Sequence, residues 1–174
     1  MASPSFLPAN GTRERVDRLR ERVAAQPLGV RLTLLHGTTG QGKTVLLGSL
    51  QERLAEDGTN VVRFSLRGAR DPQEVWRVFA KAVRGETDAR KRVEQSTEDS
   101  RLSVDTWAQS ISEPVVLLVD SYEDATSPQT DVGLAKFLES YPLLRAVVAS
   151  RAFAVLDGPA VASRIPTVTF DVDE

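Results

Sequence analysis

Eight residues constrain this chain more than any others: Gly37-Thr38-Thr39-Gly40-Gln41-Gly42-Lys43-Thr44. Glycines let the backbone adopt conformations closed to residues with a Cβ, and their missing side chains let several N–H groups converge on one point. An ammonium and a hydroxyl follow at Lys43 and Thr44. Such a turn cradles a multiply charged anion when a strand leads into it and a helix N-terminus leaves it. Both neighbours are legible. Residues 31–36 (RLTLLH) read as a strand, and residues 43–56 place Leu47, Leu50 and Leu54 on one helical stripe that stops at Gly58.

In that setting Gly-x4-Gly-Lys-Thr is a P-loop, so nucleotide phosphates are the predicted anion. Gly37, Thr38, Thr39, Gly40, Gln41, Gly42, Lys43, Thr44 and Val45 are the predicted contacts. Lys43 is expected to reach the β and γ phosphates as a point charge, and the Thr44 hydroxyl to ligate Mg2+. Replacing Lys43 by alanine is expected to abolish tight triphosphate binding.

The rest of the chain alternates strand and helix signals. Residues 1–11 carry two prolines and a glycine without a periodic apolar face and read as an irregular arm, leaving 12–174 as one domain. Val16, Leu19 and Val23 form the stripe of a short helix over 13–23. Residues 60–66 read as a second strand, and Asp71-Pro72-Gln73-Glu74 announces a helix with an N-cap aspartate, a proline at N1 and a glutamate at N3. Residues 84–101 hold one valine among charged and small polar groups, so a mobile excursion is expected. Helical spacing returns at Val104, Trp107 and Ile111 and breaks at Pro114; Trp107 reads as core. Residues 115–119 (VVLLV) form a strand covered on both faces, residues 134–141 a helix, residues 146–149 another buried strand and residues 165–172 a last one. The predicted fold is a three-layer α/β P-loop domain with a parallel sheet.

Composition narrows the chemistry. Lys and Arg number 22 against 24 acids, so no global positive field draws this domain to nucleic acid or an anionic membrane. Cysteine is absent and His36 is the sole histidine, which leaves oxygen ligands for any metal; His36 itself reads as a packed strand-end residue. No apolar run approaches a membrane span and no signal peptide is evident, so a cytoplasmic setting is expected.

A second motif follows the buried run: Asp120 ends that strand where ligands gather in open α/β sheets, and it is the predicted partner of Thr44 in holding Mg2+. In many P-loop ATPases an acid comes next; here Ser121 does, so slow or absent hydrolysis is expected. Glu123 and Asp124 are the nearest acids, readable as a catalytic base or as exposed loop acids. Arg151, after the fourth strand, is a candidate reader of the γ-phosphate, with a plain surface arginine as its rival. The predicted catalytic set is Lys43, Asp120, Glu123 and Arg151.

Taken together, RLTLLHGTTGQGKT, VVRFSL, PVVLLVDSYEDA and LRAVVASR resemble the ATPase core of STAND NTPases, specifically the large LuxR-type regulators of the maltose-regulator kind. The resemblance spans residues 12–172. It implies sheet order 5-1-4-3-2, a switch that is inactive with ADP and assembles with ATP and an inducer, Arg151 as the γ-phosphate sensor, and Arg13 or Arg15 near the base. It also implies a helical lid, a winged helix, a sensor repeat region and often a helix-turn-helix beyond Glu174, so an isolated domain of a transcriptional regulator is expected, with contacts to those parts or to its own copies. The alternatives are a turnover ATPase or phosphotransferase using Glu123 or Asp124, and a degenerate P-loop interaction module.

Overall fold

The computed structural model describes residues 10–24, 29–38, 42–84 and 97–172. In chain order these form α1 (Asn10–Ala24), β1 (Leu32–His36), α2 (Lys43–Glu56), β2 (Asn60–Ser65), α3 (Pro72–Arg84), α4 (Thr97–Ser110), β3 (Val115–Asp120), α5 (Pro128–Ser140), β4 (Leu144–Ser150), α6 (Pro159–Ala162) and β5 (Thr167–Asp171). The five strands make one parallel sheet in the order β2-β3-β4-β1-β5, which read from the other edge is the expected 5-1-4-3-2.

The central strands are apolar on both faces because helices cover both. Along β3, Val115, Leu117 and Val119 face α3, α4 and α5, while Val116 and Leu118 face α1 and α2. Val16, Leu19 and Val23 of α1 are buried with Leu46, Leu47, Leu50 and Leu54 of α2, each such side chain contributing about 1.5–3 kcal/mol. The opposite layer is aromatic. Phe79 of α3 stacks on Phe64 at 4.8 Å and meets Phe137 edge-on at 5.5 Å and Trp107 at 5.9 Å, and Trp76 meets Phe137 at 5.3 Å.

Helix ends follow their local chemistry. Gly58 (φ 77°) closes α2: its N–H donates to Ala55 O at 3.0 Å and that of Thr59 to Leu54 O at 2.9 Å, the paired bonds of a Schellman stop. At α3 the Glu74 N–H donates to Asp71 Oδ1 at 2.9 Å, while the Glu74 carboxylate reaches back past the cap to the Arg70 N–H at 2.7 Å.

Two expectations need correction. Asn10 and Gly11, assigned to the arm, belong to α1, where a Cβ on Gly11 would meet nothing within 4 Å and the glycine is tolerated on an open face; residues 1–9 lie outside the described residues. Arg84 closes α3 and residues 97–101 open α4, although all were assigned to the excursion. The reason lies in Arg101, whose guanidinium stacks over the Trp76 ring at 4.0 Å and pairs with Asp105 at 3.0 Å. Residues 85–96 lie outside the described residues. Among the described residues no helix is long and apolar enough to cross a membrane.

Candidate functional site

Parallel pairing sets the strand ends in one row. His36 is in register with Ser150 and Asp171, and Ser65 with Asp120. The glycine-rich turn leaves β1 at this edge, and α2 begins after Gly42 in the left-handed region (φ 77°, ψ 20°), where glycine carries no Cβ penalty. Thr39, Gly40 and Gln41 lie outside the described residues. The Lys43 ammonium donates to the carbonyls of Gly37 at 2.5 Å and Thr38 at 2.7 Å, so the charge folds back over the turn that precedes it. Val45 faces solvent on the first turn of α2.

Thr44 and Asp120 line one open cleft of about 550 Å3, together with Gln51, Arg63, Phe64, Ser65, Arg67 and Ser121. Asp120 is 7% exposed, and its Oδ1 accepts the Ser121 N–H at 2.8 Å. Ser121 occupies the left-handed region (φ 55°, ψ 41°), the one non-glycine residue with positive φ among those described, which costs about 1–2 kcal/mol. That kink starts a 3-10 turn over Tyr122–Asp124 and carries the next two acids away from the cleft lining. Asp124 accepts the Gly68 N–H at 2.7 Å, clamping the loop after β2. Glu123 pairs with Arg151 across 3.5 Å, and its buried Oε2 has no hydrogen-bond partner among the described residues. The two candidate groups are thus brought together, a contact that a sequence separation of this size conceals.

One functional-edge residue escaped the sequence. Asp131, fully buried on the first turn of α5, accepts from the hydroxyls of Tyr122 at 2.7 Å and Thr126 at 2.8 Å and from the N–H groups of Val155 at 2.8 Å and Leu156 at 2.9 Å. Burial first, and then the charge and hydrogen bond of Asp131, push the Tyr122 phenol well above its ordinary value. Arg13 and Arg15 sit on α1 and do not line the cleft.

The donor set fits a hydrated hard dication shared with phosphate oxygens. A hydroxyl-bearing and a carboxylate-bearing residue, Thr44 and Asp120, line one cleft. That is the sparse protein ligation Mg2+ accepts, because it keeps its waters. A parallel three-layer sheet with this turn, lysine and strand-end aspartate defines a P-loop nucleotide-binding domain.

Residues 29–149 match the family described as AAA domain, and the chain belongs to that family. Among curated proteins no sequence match was found. Among solved structures it is similar to the Aeropyrum pernix ORC1 protein in complex with DNA (19% identity, TM-score 0.66, covering 97% of this chain and 47% of that one). It is similar also to Cdc6p from Pyrobaculum aerophilum (16%, 0.68, 97% and 48%) and to AMPPCP-bound DnaA from Aquifex aeolicus (16%, 0.56, 96% and 48%). The chain therefore spans about half the length of these structures, and at such identities the likeness establishes the fold.

Proposed function

We propose that this chain is the ATP/ADP-binding switch domain of a signal-responsive transcriptional regulator of the STAND, LuxR-type class, acting in the cytoplasm, with slow or absent hydrolysis. One observation carries the slow-hydrolysis part of this reading, namely that Thr44 and Asp120 share a cleft whose lining includes neither Glu123 nor Asp124; the regulator part rests on the resemblance of the loop and strand motifs. Parts that bind are together, and the acids that could activate water are engaged with Arg151 and the Gly68 N–H.

On this reading Lys43 exchanges the Gly37 and Thr38 carbonyls for the β and γ phosphate oxygens, a charge-assisted contact stronger than the one it leaves. Thr44 and Asp120 would hold Mg2+, which when bound would supply positive charge against the phosphates. Arg151 leaves Glu123 to read the γ-phosphate, so nucleotide state changes the loop after β4 and, through it, contacts with further domains or other copies of the chain. Arg13 or Arg15 lies toward the base.

Titration of Mg·ATP and Mg·ADP against wild type and Lys43→Ala, with phosphate release followed in parallel, tests the proposal. Micromolar binding of both nucleotides, lost in the variant, with release slower than about one per minute, is the expected result. Brisk turnover that collapses in Glu123→Ala indicates an enzyme instead, and binding of neither nucleotide indicates an interaction module.

A further inference from the structure

The cleft that Thr44 and Asp120 line is also lined by two arginines, Arg63 on β2 and Arg67 just beyond it. Arg63 lies along the flank of α2, donating to Thr44 O at 3.2 Å and Gln51 Oε1 at 3.4 Å. Gly48 makes that lane: a Cβ there would come within 3.3 Å of Arg63 Nη1. Arg67 is exposed, and its guanidinium has no hydrogen-bond or ion-pair partner among the described residues.

Its backbone, by contrast, is held. The Leu66 N–H donates to Asp120 O at 2.9 Å, the Arg67 N–H to Ser65 Oγ at 3.3 Å, the Gly68 N–H to Asp124 at 2.7 Å and the Ala69 N–H to Leu66 O at 3.0 Å. Gly68 turns the loop at φ 79°. Asp120 thus fixes the base of the loop that presents Arg67, while Arg63 rests on the turn of α2 that presents Thr44. Two cations lining one cleft repel each other, and Asp120 is the cleft's only carboxylate among the described residues. In a chain of net charge −2 this excess is a local arrangement, and a multiply charged anion relieves it.

We infer that Arg63 and Arg67 form a cationic wall that takes up the terminal phosphate of a nucleoside triphosphate, making the cleft selective for tri- over diphosphate. This rests on the nucleotide reading above and extends it, because the loop's glycines serve phosphates common to both nucleotides and Lys43 divides its one charge between the β and γ positions. The wall approaches from β2, whereas Arg151 stands at the end of β4, on the other side of Asp120 in the sheet.

Calorimetric titration of the 174-residue chain with Mg·AMPPCP and Mg·ADP tests the wall in Arg67→Gln, Arg63→Gln and the double variant, with Arg63→Lys as the conservative control. Each glutamine is expected to weaken AMPPCP about tenfold while ADP stays within about twofold, with Arg63→Lys between wild type and Arg63→Gln. Arg67 is exposed, so Arg67→Gln leaves folding untouched, and an unchanged melting temperature verifies that. An AMPPCP-to-ADP affinity ratio equal to wild type in Arg67→Gln and in the double variant overturns the wall alone. Wild type that binds neither nucleotide overturns both the wall and the reading beneath it.

Discussion

The layer under α3, α4 and α5 and the C-terminal edge of the sheet are held by different physics. The first is a cluster of six aromatic rings, Phe64, Trp76, Phe79, Trp107, Phe137 and Tyr141, whose contacts are non-directional and redundant. The second depends on single directed bonds: a lysine on two carbonyls, a serine held in the left-handed region, a carboxylate gathering four donors. The first region supplies stability and tolerates imprecision. The edge gives up some stability to hold particular atoms in particular places, which is what a ligand site requires.

Perturbing each region separately breaks or sharpens this contrast. Phe79→Ala empties the centre of the ring cluster and is expected to cost about 3–5 kcal/mol in urea unfolding, while nucleotide affinity at low temperature stays within about threefold. Asp131→Ala strands two hydroxyls and two N–H groups and is expected to cost about 3 kcal/mol, with heightened hydrogen exchange at Val155 and Leu156. Tyr122 adds a pH signature. Its folded-state pKa is raised, so its contribution is complete below the unfolded value near 10 and falls as pH climbs above it. Melting temperature is expected to drop above about pH 10 in wild type, and less steeply in Tyr122→Phe. Ser121→Gly relieves the left-handed serine but adds chain entropy to the unfolded state, for a net gain of about 0.5 kcal/mol. Lys43→Ala is expected to change stability by less than about 0.5 kcal/mol while removing nucleotide binding, the reverse of Phe79→Ala.

The same contrast governs what the sequence reveals. The bounds of α2, the approach of β1 and the burial of β3 on both faces were legible because each is written in a few consecutive residues. Sheet order was available through family resemblance, since parallel strands of similar hydrophobicity do not encode their neighbours. The start of α4 escaped because Arg101, which in sequence reads as a loop charge, is stabilised by Trp76, a residue on another helix. Asp131 escaped because the apolar stripe that marks α5 in the sequence begins only at Leu134, which left this acid outside the expected helix. Whether Glu123 faces the cleft was invisible too: it turns on the φ of Ser121 and on Arg151, neither of which a linear pattern specifies.

Asp131 also limits how this edge can move. Its carboxylate ties the turn after β3 to the segment after β4, and Thr126 adds a further tie by accepting the Ala154 N–H at 2.9 Å. Displacing the stretch that begins at Arg151 must therefore rupture those bonds or drag Tyr122 and its neighbours along. The two loops are yoked like gears on one shaft, so a disturbance arriving at either is expected to reach the other through this carboxylate.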